Sequence, residues 1–171
     1  VSESVRWWDR WLKNINNGIM EEPKLNYYLQ DSVAPATDYE SRPGQWVSEP
    51  EWPSQNTQYQ TWHLSNTGLK AESEESESMQ ICSPQTIGLD GGRFCTGIRL
   101  DMEHPADQRI DDSGSLVFDS PALEHDISIA GQVLANLTLS SDKAQASVIV
   151  RISDVHPNGQ VTRISHGVLN L

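Results

Sequence analysis

Between residues 132 and 139 the side chains alternate with a two-residue period: Val133, Ala135, Leu137 and Leu139 fall on one side, Asn136 and Thr138 on the other. An extended strand is the conformation that sends every second side chain to one face, so this run predicts a strand packed on one side. Ala146, Val148, Val150 and Ile152 repeat the pattern. Asn158-Gly159 then supplies a type I′ turn signal, which predicts that residues 160–171 return as the partner strand of a hairpin. Upstream, residues 25–29 read as a first strand, and residues 45–47 with Trp52-Pro53 read as strand ends and proline-fixed turns. Residues 58–64 alternate Tyr59, Thr61 and His63 with Gln60, Trp62 and Leu64, again predicting a half-buried strand. Residues 65–96 are rich in Ser, Glu, Gly and Pro and predict loops with short edge strands. About eight short strands, with turn residues between them and little helix, imply a mainly β chain folded as a jelly-roll-like β-sandwich.

One helix is expected, at the N-terminus. Val5, Trp8, Trp11, Leu12 and Ile15 recur at three- and four-residue steps, Asp9, Arg10, Lys13 and Asn17 fill the other side, and Gly18 stands where a C-terminal cap is expected. So wide an apolar stripe must be covered, either by this domain's own sheets or by a preceding domain of which it is the last helix.

Composition narrows the function. Twelve Lys and Arg against 24 Asp and Glu leave a formal net charge of -12, with no basic patch, so a nucleic-acid partner is not expected. The acidic run at residues 72–77 reads as a solvated loop. A chain of 171 residues is long enough for one core. No apolar run approaches the roughly 18 to 20 residues of a membrane span, and the tryptophan-rich start lacks a signal-peptide pattern. These features point to a cytoplasmic protein without a membrane partner. There Cys82 and Cys95 form a reduced pair more readily than one bridge.

No catalytic residue is expected in this chain. It contains no Gly-x-Ser-x-Gly, the turn that presents the serine of an α/β-hydrolase. The five histidines are too far apart for a paired metal site, and Asp107, Asp111 and Asp112 lack the spacing of an EF-hand, so neither a metal nor a cofactor is expected. The Asn136-Leu-Thr138 sequon falls in a predicted core strand and is discounted. Six tryptophans leave one rival reading open, a carbohydrate-binding platform of Trp46, Trp52, Tyr59 and Trp62. The commoner use of such rings is to fill a core or an interface.

Several ordered segments carry a family resemblance: residues 6–18 (RWWDRWLKNINNG), Glu22-Pro23, residues 42–46 (RPGQW), Glu51-Trp-Pro53, and Gly91-Gly92 ahead of residues 105–109 (PADQR). Residues 115–123 (SLVFDSPAL), 137–142 (LTLSSD), 151–159 (RISDVHPNG) and 162–171 (TRISHGVLNL) extend the series. Together they resemble the galactose-binding-like β-sandwich that follows the catalytic domain in serine hydrolases of the X-prolyl dipeptidyl-peptidase and cocaine esterase group. The resemblance implies that residues 1–20 are the last helix of a catalytic α/β-hydrolase domain. Residues 21–171 would then be the sandwich, whose family pattern continues for several strands past Leu171. Left open in this way, its strand edges suit a homodimer.

The same resemblance implies roles for particular residues. In the cocaine esterase branch a loop after the double glycine reaches the acyl pocket. It corresponds to residues 93–96, which makes Arg93 and Phe94 substrate-binding candidates, with a buried structural Phe94 as the alternative. Asp107, Gln108 and Arg109 are expected to serve architecture. The Arg109 guanidinium is the fork that would tie a carboxylate and backbone carbonyls across the sheets.

Overall fold

The structure, a computed structural model, describes residues 2–73, 78–93 and 103–171. Its elements are helix α1 (Ser2–Lys13), strands β1 (Leu25–Gln30), β2 (Gly44–Glu49), β3 (His63–Ser65) and β4 (Gly68–Lys70), a 3-10 turn (Leu89–Gly91), the one-turn helix α2 (Arg109–Asp112), and strands β5 (Ser147–Val155) and β6 (Val161–Asn170). The strands form three two-stranded sheets, β1-β2, β3-β4 and β5-β6, so the fold is mainly β with one long helix at the N-terminus. Among the described residues no sheet closes into a barrel and no helix is long and apolar enough to cross a membrane. The chain divides into two compact units, Val1–Leu29 with Gly44–Tyr59, and Gln30–Pro43 with Gln60–Leu171.

In the first unit, α1 ends one turn earlier than the glycine at 18 suggests. Asn14 adopts the left-handed conformation (φ 55°), and the Ile15 N–H turns back to the Asp9 carbonyl (3.1 Å). Asparagine is among the few non-glycine residues that tolerate this conformation, so it stops the helix ahead of Gly18. Gly18 instead opens the next turn, its carbonyl accepting from the Glu21 N–H (3.0 Å). The sheet of this unit is joined across its strands by Ser48 Oγ on Asn26 Oδ1 (2.6 Å) and by Tyr28 set edge-on to Trp46, 5.5 Å apart.

The second unit is organised by the antiparallel β5-β6 hairpin, with Val148 opposite Leu169, Val150 opposite Gly167 and Ile152 opposite Ser165. A register shift follows: Ser153 faces Arg163, so Ile164 is the extra residue of a bulge. The turn is not type I′. The Gly159 N–H bonds the His156 carbonyl (2.8 Å), the His156 N–H bonds the Gln160 carbonyl (2.8 Å), and the left-handed residue of the loop is Gly159 (φ 82°). Pro157 sets a negative φ at the first loop position, which excludes a primed turn. It selects the three-residue loop in which a type I turn is followed by a left-handed glycine.

Two expected strands are corrected. Residues 132–139 lie in no strand, and every one of them is exposed. Of residues 58–64 only the last two reach a strand, β3, while Tyr59 and Trp62 stand in solvent. Alternation prepares a face, but a strand also needs a neighbour to take its N–H and C=O groups; among the described residues only His63 and Leu64 of these two runs are paired in a strand, with Lys70 and Leu69. Burial is correspondingly polar: Val161 (6 % exposed) is the buried apolar side chain among the described residues, in company with Gln108, Asp111 and Thr162 in its own unit.

Candidate functional site

A cluster of hydrogen-bonded side chains surrounds residues 107–115, where a loop turns into α2 against the root of the hairpin. Gln108 is wholly buried and uses every polar group it has. Its Nε2 donates to the Asp90 and Ala106 carbonyls (both 2.9 Å), and its Oε1 accepts from Arg151 Nη1 (3.3 Å). Its main-chain N–H donates to the Val161 carbonyl (3.1 Å), and its carbonyl accepts from the Asp112 N–H (2.8 Å). A buried amide costs free energy unless it is paired, and here it is paired throughout.

Arg151, projecting from β5, closes the cluster. Its Nη2 donates to Asp112 Oδ1 (2.8 Å) and Ser115 Oγ (3.0 Å), and its Nη1 lies 3.4 Å from Asp111 Oδ2. Asp111, 1 % exposed, accepts the Gly88 N–H on Oδ1 (2.8 Å). Burial pushes the Asp112 carboxyl above its ordinary range; the positive charge of Arg151 opposes that rise and the neighbouring carboxylates of Asp111, Asp119 and Asp107 add to it. Arg163 is lowered by burial and by the like charge of Arg151. The cluster therefore holds two adjacent carboxylates against one guanidinium.

Arg109 does not supply the expected fork. Its side chain is 58 % exposed and reaches only Asp107, through Nε and Nη2 (3.0 and 2.8 Å); the guanidinium that ties the loop is Arg151, at 13 %. The difference is one of side: Arg109 opens α2 and points outward, whereas Arg151 breaks the apolar run of β5 on its inner half. Asp107 does bridge the loop and the hairpin, its Oδ1 accepting both the Arg109 N–H and the Val161 N–H (3.2 Å each). Burial alone would raise its carboxyl, but these bonds outweigh burial and hold it below the ordinary value. The lone charge within Val148–Ile152 is the sequence signal from which Arg151 could have been found.

Of the candidate pocket residues, Arg93 is exposed, its Nε 3.9 Å from Glu103 Oε2, and Phe94 lies outside the described residues. The backbone on either side is tightly built. The Arg93 N–H donates to the Glu103 carbonyl (3.0 Å), the His104 N–H to Thr37 and the Ala106 N–H to Asp90. Gly92 (φ 67°) passes so close that a Cβ there would lie 2.7 Å from the His104 carbonyl carbon and the Pro105 nitrogen, so only glycine fits. Cys82 is exposed and unbridged, and Cys95 lies outside the described residues.

The other notable surface is α1. Its less exposed residues are Arg6, Asp9 and Arg10, while Val5, Trp8, Trp11, Leu12 and Ile15 face solvent. Arg6 anchors the polar side, pairing with Glu3 and Glu22 and accepting Asn17 Nδ2 on its carbonyl. Trp46, Trp52 and Tyr59 are exposed too, but the close ring pairs of this unit, Trp7 with Trp11 and Tyr28 with Trp46, are tilted by 51° and 66° rather than coplanar. A flat sugar-stacking platform is not formed by either pair.

The cluster is a buried polar clasp between residues 107–115 and the hairpin. Residues 17–171 match the family described as the X-Pro dipeptidyl-peptidase C-terminal non-catalytic domain. The chain belongs to that family. The family match begins past the end of α1 and takes in the whole 107–115 cluster and the hairpin. Two mycobacterial proteins, from Mycobacterium bovis and Mycobacterium tuberculosis, each carry the name "Putative serine esterase" and are 26% identical to this chain over 172 residues, 98% of its length. The chain spans about a quarter (26%) of the length of these relatives. No solved structure matches it.

Proposed function

We propose that this chain is the accessory β-sandwich, of the jelly-roll kind, of a cytoplasmic serine hydrolase, and that it stabilises a catalytic α/β-hydrolase domain of the same polypeptide. The observation that carries the reading is the orientation of α1, whose polar side is anchored within its own unit while three tryptophans and two aliphatic residues face outward. Burying such a face contributes several kcal/mol at about 25 cal/mol per Å2 of apolar area. The family and the name of the relatives support a parent that cleaves X-Pro peptides or esters through an acyl-serine intermediate formed outside this domain. The close-packed backbone at Gly92 supports a fixed position for Arg93 as a substrate-binding residue.

The test is made in the intact hydrolase. Trp8→Ser with Trp11→Ser lowers its melting temperature while turnover per folded molecule, on an X-Pro anilide or a short acyl ester, holds. An unchanged melting temperature would contradict the docking role. Hydrolysis of either substrate by these 171 residues alone would overturn the non-catalytic assignment.

A further inference from the structure

Asn158-Gly159, in the loop between β5 and β6, is one of two Asn-Gly pairs in the chain, the other being Asn17-Gly18. An asparagine followed by glycine is the pair most open to spontaneous deamidation, because no Cβ on the glycine hinders its nitrogen from reaching the asparagine Cγ. The reaction is driven by base. The glycine N–H loses its proton, the nitrogen bonds to Cγ, the bond from Cγ to Nδ2 breaks, and ammonia leaves behind a five-membered succinimide. Water then opens the ring at either carbonyl, giving aspartate or isoaspartate. In isoaspartate the main chain runs through Cβ and is longer by one carbon atom.

The loop engages both reacting groups. The Gly159 N–H donates to the His156 carbonyl (2.8 Å), so the proton that must leave is already held. Asn158 Oδ1 accepts the Gln160 N–H (3.0 Å) and Asn158 Nδ2 donates to Gln160 Oε1 (2.8 Å), so the side-chain amide is tied at both polar atoms to the residue beyond Gly159. The His156 N–H on the Gln160 carbonyl (2.8 Å) closes the loop around them. The bond to Oδ1 taken alone would favour attack, since it draws charge from the carbonyl. The held proton decides the balance, because the nucleophile does not exist until that proton is removed.

We propose that Asn158-Gly159 is a deamidation site latched by the hairpin loop: it reacts when the loop opens, and the isoaspartate it leaves keeps the loop from closing again. Removal of an amide proton by base is also the step that hydrogen exchange measures, and a bonded N–H waits for the same local opening in both. Deamidation at Asn158 and exchange at Gly159 are therefore slowed by one common factor. Closure is lost afterwards because Gly159 must stand at φ 82° in a loop of three residues for its N–H to meet the His156 carbonyl, and an extra main-chain atom breaks that count. The effect reaches the 107–115 cluster. Val161, two residues past Gly159, accepts the Gln108 N–H on its carbonyl and donates its own N–H to Asp107 Oδ1, and Thr162 Oγ1 bonds His156 Nε2 (2.8 Å).

The test holds the intact polypeptide at mildly alkaline pH, folded and in urea, and measures isoaspartate in the peptide that carries Asn158, apart from the peptide that carries Asn17. The folded protein is expected to form it at least about tenfold more slowly than the unfolded one, by the same factor that slows deuterium exchange at the Gly159 amide. Pro157→Gly frees the φ at the first loop position and is expected to raise both rates together. Equal deamidation in the folded and unfolded protein, or a Pro157→Gly variant whose exchange quickens while its deamidation does not, would overturn the proposal. The second half is read on the isoaspartate fraction, separated by its charge. Its Gly159 and Gln108 amides are expected to exchange faster than those of the unmodified protein, while Asn158→Asp, which adds the charge without the extra atom, keeps its protection. An isoaspartate fraction as well protected as the unmodified protein would show a loop that closes again and would sink the latch.

Discussion

Arg151 and Arg109 show how differently two arginines can count in one loop. Arg151 is buried against Asp111, Asp112, Gln108 and Ser115, so truncating it strands two carboxylates in the interior. Arg151→Ala is expected to cost about 3 kcal/mol of unfolding free energy, read as a lower denaturant midpoint at constant slope. Arg109→Ala removes a mostly exposed pair with Asp107 and is expected to cost less than about 1 kcal/mol. Acid acts through Asp107. Its carboxyl is held below the unfolded value of 3.8, so its contribution is present above that pH and is lost as pH falls through the folded value. Asp112 works the other way: its raised value means that ionisation costs stability as pH rises through it. Asp107→Asn should therefore lower the melting temperature at neutral pH, and the gap to the unsubstituted protein should close as the pH is taken below about 4. The 107–109 motif stood out in the sequence as architectural. Which arginine served it did not, because local order cannot show which side chain a distant strand brings inward.

At the scale of elements, the helix and the hairpin were both legible, since period 3.6 at residues 5–15 and period 2 at residues 146–152 are strong local signals. Their ends were less so. Asn14 stops α1 through its left-handed conformation, and Pro157 converts an apparent two-residue turn into a three-residue loop closed by Gly159. Gly159→Ala must force a Cβ into φ 82° and is expected to cost about 1 kcal/mol, measured by urea unfolding. Gln160 and His156 already bond across the loop, so the hairpin should survive with its register intact. The strand expected at residues 132–139, which the structure does not form, has a different cause. Its alternation was read correctly, but pairing is a non-local property that no window of sequence contains.

At the scale of the molecule, the usual distribution of side chains is reversed among the described residues. All six tryptophans are at least two-fifths exposed, while an amide, two aspartates and an arginine lie inside or nearly so. Indole fluorescence reports this directly. The emission of these 171 residues alone should be that of water-exposed tryptophan, and it should shift to shorter wavelength within the intact hydrolase as α1 is covered. Emission that is already blue-shifted in the isolated chain would contradict the exposed face. The same reversal explains why the fold was readable and its role only partly so. On the proposed docking role, the hydrophobic signal of α1 belongs to a surface that these residues do not themselves contain.

The sequence by itself determined the class of the fold, the place of the helix and the hairpin, the family, and the lack of a nucleophile elbow within these residues. Each follows from local periodicity, turn chemistry or motif order, which need no knowledge of what lies far along the chain. Only the tertiary structure decided that Arg151 rather than Arg109 clasps the loop and that the polar side of α1 is the anchored one. It alone showed that residues 132–139, for all their alternation, lie exposed and in no strand. Those are matters of which distant groups meet, and meeting is settled by the balance of desolvation, pairing and chain closure over the folded whole.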